Sequence, residues 1–462
     1  MKRIPTSEKG MMLIYLIIII LFFSILMIPI LNTVSAKLAI LRSAADKEQA
    51  LQIAEAGINY YQWHLAHFQN DYQDGTGHAG PYLHNYTDTD TEQTIGKFNL
   101  TITPPSTGST IVTIQSTAWT NKNPSVTRTV TAKYGIPSIA KYAFLSNDII
   151  WIGSGESVSG QFQSNNGVRF DGTGNAPIQS AKSTYTCPTT QGSPCPATEN
   201  GVWGSASQAV KNFWQFPVPA IDFSSITSDL ATMKSAAQSA GIYLAPSNAQ
   251  GYSLVFNANG TVSVYKVTSL QNNPTGWDTS NVAHNEKIDY SARTLQFTQA
   301  IPANGMIYIE DKTWVEGTVN GRANVVAAKL PYNSSTAPTI YIPNNIVYAV
   351  KDGSNVLGLI AQKDIVVTYH APTNLEVDAA LIAQNGAVQF FYYSGVIKNS
   401  ITIYGTIMTF NQWTWTWVNG SGTVLSGYTN TASNYDSNLL YGPPPNFPLS
   451  ASDYQLLSWV SN

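Results

Sequence analysis

Residues 10–68 read GMMLIYLIIIILFFSILMIPILNTVSAKLAILRSAADKEQALQIAEAGINYYQWHLAHF. The first part, Met11 to Leu31, is a run of 21 residues without a charge. As a helix rising about 1.5 Å per residue it would be ~31 Å long, enough to cross the hydrocarbon core of a bilayer. From Val34 the pattern turns amphipathic. Val34, Leu38, Leu41, Ala45, Leu51, Ala54, Ile58, Tyr61, Leu65 and Phe68 recur at helical spacing. No stop signal divides the two parts. The spacing therefore predicts one long helix over residues 11–70, membrane-buried at its start and packed on protein at its end. Pro29 is expected to kink it near the outer end. Lys2, Arg3 and Lys9 precede the apolar run and should hold the N-terminus in the cytoplasm, which puts the rest of the chain outside. A cleaved secretory signal is the competing reading. It needs a shorter apolar core and a small-x-small cleavage site, which Val34-Ser35-Ala36 supplies only faintly.

Lys9-Gly10-Met11, a short basic leader (residues 1–10) ending in Gly directly before the apolar run, resembles a type IV prepilin cleavage site. The resemblance implies that a membrane prepilin peptidase cuts after Gly10 and methylates the new N-terminus, Met11. Most members of that family carry Glu at the fifth position after the cut; this chain has Tyr15. That departure is similar to minor pilins of the PilX type and to tip-type pseudopilins. Residues 49–58, QALQIAEAGI, resemble the A-E-A-G signature of PilX-like proteins and include Glu55. A structural minor pilin is implied, stored in the inner membrane and then packed through its N-terminal helix against other pilin subunits. Its place would be the filament tip or surface, in assembly priming or adhesion. Glu55 by its own chemistry reads as a solvated helix residue.

With 462 residues the chain is too long for one ordinary core, and two or three units are expected. Charged residues make up only 11% and the net charge is −3, so there is no basic stripe of the kind nucleic-acid binding requires. Asn70 to Gln93 (NDYQDGTGHAGPYLHNYTDTDTEQ) reads as a loop. Within residues 71–139, the segments 98–102, 110–114 and 126–132 alternate in polarity and predict a small antiparallel sheet on the outer half of the helix. Helix plus small sheet is also the arrangement the pilin resemblance implies. Residues 140–446 carry many short apolar strands. Within them GLIAQKDIVV (358–367) is echoed by ALIAQNGAVQ (380–389), 22 residues on, and more faintly by Tyr404 to Met408, another 26 on. A period of that size suggests stacked coils of a parallel β-helix, against a β-sandwich. β-Helical ectodomains after PilX-like N-termini are a further, looser resemblance. Residues 222–241 predict a helical insert capped by Asp222 or Ser224, covering an open end or side. Residues 447–462 form a tail, in which Ala451 to Val460 reads as a short helix. The fold class is α+β.

Candidate chemistry is sparse. Cys187 and Cys195 are separated by seven residues of a Pro/Gly loop, which suits a disulfide in oxidising surroundings, with two free thiols as the alternative. His64, His67, His78 and His84 are irregularly spaced and read as surface histidines rather than a metal site. No nucleotide, hydrolase or zinc-protease motif is present, and no cofactor is expected. A polysaccharide-acting surface enzyme would need carboxylates gathered on one groove. Glu310, Asp311, Glu316, Asp352, Lys363, Asp364 and Asp378 instead read as solvated turn residues, so no catalytic residue is assigned. A cell-envelope protein that keeps its anchor and never polymerises is a further alternative. Trp413, Trp415 and Trp417 would share one strand face. Exposed, they make a platform for a surface glycan or protein ligand; buried, they fill a layer, with Phe390 to Tyr393 adding to the same patch.

Overall fold

A computed structural model describes residues 9–223, 230–272, 274–419, 422–450 and 453–462. The chain forms two compact units. One comprises Met1–Pro104, Ile111–Gly135 and Tyr454–Asn462; the other comprises Pro105–Thr110 and Ile136–Asp453. The leader before Lys9 lies outside the described residues.

In the first unit, helix α1 (Lys9–His67) runs unbroken through Pro29. The Thr33 hydroxyl donates to the Pro29 carbonyl at 2.7 Å. Every residue from Met11 to Leu31 is exposed, so among the described residues nothing covers this part, which is long and apolar enough to cross a membrane. The outer part is buried on one stripe: Ala50, Ile53, Ala54, Ile58, Tyr61 and Leu65. That stripe starts later than the amphipathic pattern suggests. Leu38 and Leu41 stay exposed, as does Phe68, which falls just past the helix end.

Strands β1 (Tyr82–Thr87), β2 (Thr94–Thr103), β3 (Ile111–Thr120) and β4 (Thr127–Gly135) pack on this stripe. A C-terminal strand, Gln455–Ser461, completes an antiparallel sheet of order β1-β2-β3-β4-C-terminal strand. Alternation in β2–β4 aims Phe98, Leu100, Val112, Ile114, Ala118, Val130, Ala132 and Tyr134 at the helix. Two expectations are corrected here. The stretch read as a loop contains β1, whose residues pair with β2 from Tyr82↔Leu100 onward. The tail read as a helix over 451–460 is a strand from Gln455, with residues 451–452 outside the described set. Leu456, Trp459 and Val460 do have helical spacing, but the free edge of β4 supplies a ladder of backbone hydrogen bonds that an exposed helix lacks.

The second unit is mainly strand, and most of its pairings are parallel. In one ladder, Ile242–Leu244, Met306–Ile309, Arg322–Ala327, Val356–Ala361, Asn374–Ala383 and Ile397–Thr409 pair successively in parallel. The ladder then continues with strands from earlier in the chain: Phe144–Ser146, Phe162–Ser164, Ile178–Ser180 and Trp214–Gln215. A second ladder joins Gly251–Asn257, Thr313–Val319, Ile340–Ile342, Ile365–Val367 and Val388–Phe390. The C-terminal part of Thr313–Val319 opens a third. It runs through Ile346–Tyr348, Asn374–Ala383, Ile397–Thr409 and Val424–Tyr435 to Glu156–Ser159 and Thr173–Gly174. Antiparallel excursions exist as well, chiefly Thr261–Val267 between Gly251–Asn257 and Arg293–Ala300.

The sequence echo is the register of the first ladder. Gly358 pairs with Ala380 and Ala380 with Thr406, which are the offsets of 22 and 26. Like residues stack on like, so Leu359, Leu381 and Ile407 lie in one core. The alternate residues Ile360, Ile382 and Met408 join a second apolar cluster on the other face of the ladder. Strands buried on both faces read as continuous apolar runs, as Val356–Ala361 does. The helix Leu230–Ala240 covers that second face with Leu230, Met233 and Ala237. The predicted start of this insert, including Ser224 and Ile226, lies outside the described residues. The chain leaves one ladder end at Gln215 and re-enters the other at Ile242. Ten paired strands span nine spacings of about 4.8 Å, so ~43 Å separates these two ends.

Candidate functional site

The residues expected from the sequence to serve processing and assembly lie on α1. Lys9 and Gly10 open the helix, and Met11 and Tyr15 follow within its exposed apolar part, Tyr15 being 61% exposed. An exposed apolar helix of this length needs either lipid or other helices around it. Glu55 sits in the packed half, half-buried, with its neighbour Ala54 fully buried. The A-E-A-G run has a packing explanation. Gly57 meets the sheet so closely that an added Cβ would lie 2.4 Å from Ser116 Oγ and 2.8 Å from Phe98 Cδ2. Small residues at Ala50, Ala54 and Gly57 let the helix backbone approach the strands.

Of the four histidines, His67 and His78 are exposed as expected, while His64 and His84 depart from the sequence reading. His64 is buried, and its Nε2 lies 3.0 Å from Asp71 Oδ2. His84 Nε2 lies 2.7 Å from Asp74 Oδ2, and the Tyr60 hydroxyl donates to Asp74 Oδ1 at 3.1 Å. These are not surface histidines, because the loop following α1 folds back and places two carboxylates against them. Asp71 also accepts from the amides of Gln73 (2.8 Å) and Gly75 (2.7 Å). Partial burial alone would raise its carboxyl; these amides and His64 outweigh that and hold it below the usual carboxylate range. A lowered folded-state pKa gives stability that is present above the unfolded value and lost as pH falls through the folded one. Asp71→Asn should therefore lower the stability of the full chain by ~1–2 kcal/mol at pH 7. The effect should shrink toward pH 3, as read by thermal melts at the two pH values.

Cys187 and Cys195 are bridged, with Cα atoms 5.5 Å apart. The tryptophans do not form one exposed face. Trp413 and Trp415 are buried in the main core, with Trp413 edge-on to Phe144 at 5.3 Å, while Trp417 is half-buried and donates to the Phe390 carbonyl at 2.8 Å. Phe390, Phe391 and Tyr393 are core residues too, and only Tyr392 lies beside Trp417, at 5.7 Å. The three tryptophans do not share a face because only Thr416–Val418 is strand; Thr414 forms an isolated bridge with Gln389 and the run bends at Trp415.

The carboxylates considered for catalysis have individual structural partners. Glu310 pairs with Lys234 of the covering helix at 2.5 Å. Asp311 accepts from the Ser247 amide and hydroxyl, and Asp352 accepts from the Ser354 amide at 2.8 Å. Glu316 faces Arg293 at 3.4 Å and accepts from Tyr290 at 3.3 Å. Three of these groups are not solvated turn residues, since Glu316, Asp364 and Asp378 are buried. Asp378 is fully buried, accepts from the Tyr348 amide and takes Lys351 Nζ at 2.8 Å. Asp364 accepts from the Ala387 amide, one rung away. Burial raises the carboxyl pKa of both. Glu316 and Asp378 lie within the strands Thr313–Val319 and Asn374–Ala383 rather than in turns, and Asp364 is held by the Ala387 amide at 2.8 Å. Among the described residues, no three His, Cys, Asp or Glu side chains converge as a metal ion would need.

No protein-family model matches the chain, and no curated protein matches it. Among solved structures the chain is similar to the competence-associated pilin ComZ from Thermus thermophilus, at 13% identity over 90% of this chain and 97% of that one, with a TM-score of 0.30. At that score the likeness carries no residue correspondence.

Proposed function

We propose that this chain is a pilin-like structural subunit, a minor pilin of the PilX type. Helix α1 carries the reading: 59 residues, the first part uncharged and exposed, the second bearing one buried stripe under a small antiparallel sheet. In this proposal a prepilin peptidase cuts after Gly10 and methylates Met11. The apolar half stores the subunit in the inner membrane, with the two compact units beyond it on the outer side, and later packs against the helices of other pilin subunits. Tyr15 offers no carboxylate to a neighbouring N-terminus, which supports a tip or minor position over the filament body. The three parallel ladders of the second unit are read as the faces of a parallel β-helix, supported by the in-register pairing of successive strands at sequence offsets of 22 and 26 residues in the first of them.

Replacing Gly10 by Leu tests the assignment. The uncut chain is expected to accumulate in the membrane fraction and to vanish from filaments sheared off the cell. An unchanged amount of Gly10→Leu protein in sheared filaments would contradict it.

A further inference from the structure

Two adjoining cavities of ≈ 270 and ≈ 360 Å³ open in the second unit, and Trp151, Glu156, Thr416 and Val418 line both. The larger falls within the ~300–1,000 Å³ usual for small-ligand sites. Trp151 forms one wall. Its indole N–H donates to Asp171 Oδ2 at 2.8 Å, and the Arg169 guanidinium lies 4.6 Å from its ring centroid. Arg169 is itself fixed by Asp171 at 2.7 Å and by the carbonyls of Gln191 and Ser193. One ring face and the N–H of Trp151 are thus occupied, and the half-buried ring still borders the cleft.

Trp417 lines the smaller cavity together with Trp151, and its N–H is likewise committed, to Phe390. Two anchored indoles therefore present apolar surface with little rotamer freedom left to lose on binding. Neutral polar side chains also line the two cavities, Thr190, Gln412 and Thr416 in the smaller and Ser154 and Thr416 in the larger. Thr190 belongs to the loop closed by Cys187–Cys195, which the Arg169 contacts hold in place. Glu156 is the one ionisable side chain among the lining residues, and no Lys or Arg is among them. One further donor is unspent: Trp413 lines the smaller cavity, is more than nine-tenths buried, and its indole N–H has no hydrogen-bond partner among the described residues.

We infer that this cleft binds a neutral glycan strand, with Trp151 and Trp417 stacking on pyranose rings and the threonine, glutamine and Glu156 side chains reading their hydroxyls. A sugar ring has an apolar C–H face and a polar rim, which is the pairing these walls present. An anionic polymer would find no lysine or arginine among the lining side chains to pair with. The inference does not depend on the pilin reading, since every residue it uses lies in the second unit.

The test is calorimetric titration of the full chain in a zwitterionic detergent, because glucoside or maltoside headgroups would compete for the cleft. The probes are neutral hexasaccharides: α-1,4-glucan, β-1,4-glucan, β-1,4-N-acetylglucosamine and α-mannan. At least one should bind with a sub-millimolar Kd. Trp151→Ala and Trp417→Ala should each weaken that binding about tenfold or more, while Trp459→Ala, in the C-terminal strand of the first unit, should leave it unchanged. Ser154→Arg fills the cleft from an exposed position that carries no core packing, and should abolish binding with an unaltered melting curve. That variant keeps the test decisive if loss of either tryptophan unfolds the chain. Absence of binding across the four probes overturns the inference, as does wild-type affinity in Ser154→Arg.

Discussion

Gly57→Leu is expected to destabilise the first unit by ~3 kcal/mol and to stop the chain entering filaments. A Cβ alone at this position would stand 2.4 Å from Ser116 Oγ and 2.8 Å from a Phe98 ring carbon, and leucine adds three further carbons. Ser116 and Phe98 belong to β3 and β2, whose positions are fixed by eight registered pairs, so the strands cannot yield one at a time. Overpacking a dense contact costs ~1–3 kcal/mol or more. Leucine recovers about 1 kcal/mol through better helix propensity, which offsets only part of it. Gln52→Leu serves as the comparison. It adds the same side chain on the exposed face of the same helix and should change stability by about 0.5 kcal/mol or less. Denaturant unfolding in detergent reads both. Equal stability of the two variants would show that α1 does not dock on the sheet through this stripe.

Gly405→Val is expected to cost ~3–5 kcal/mol and to collapse the second unit under conditions where the parent chain is folded. Gly405 lies in Ile397–Thr409 where the strand passes from one ladder to the next. Residues up to 405 pair with Val424–Tyr435, and residues from 407 pair with Phe144–Ser146. The strand backbone there uses φ +150°, and an added Cβ would sit 2.1 Å from the carbonyl oxygen of Ala379, its partner in the adjoining strand. That neighbour is backbone, so no rotamer change relieves the clash. A β-branched residue adds its own aversion to positive φ. The loss should be read by far-UV circular dichroism melts, and a melting temperature within about 2 °C of the parent would contradict the stacked register.

How much of this was legible follows from how local each signal is. The helix was, because twenty-one uncharged residues and a stripe at 3.6 spacing need no tertiary information. The stripe's true extent was not. Leu38 and Leu41 fit the periodicity, yet the sheet reaches only as far as Ala50, and where a partner ends is not written in the helix. The repeat at 358–389 was legible because parallel in-register stacking puts chemically similar residues above one another. The order of the rungs was hidden. Strands from 144 to 215 extend the ladder beyond 409 rather than beginning it, and pairing across 260 residues leaves no local trace. The same distance conceals the cleft: Trp151 and Trp417 meet only once Val424–Tyr435 has paired with Glu156–Ser159. Buried Asp378 was misread for a related reason. In sequence it looks like a turn carboxylate, and only the neighbouring rung supplies Lys351 and the Tyr348 amide.

The central claim is that α1 starts life as a membrane helix with a removable leader and ends as an assembly helix. Mass spectrometry of the mature chain, purified from membranes and from sheared filaments, tests it most directly. The account predicts an N-terminal peptide beginning at Met11 with one added methyl group on its α-amino nitrogen. An intact Met1, or a first residue near Ala36, would contradict it.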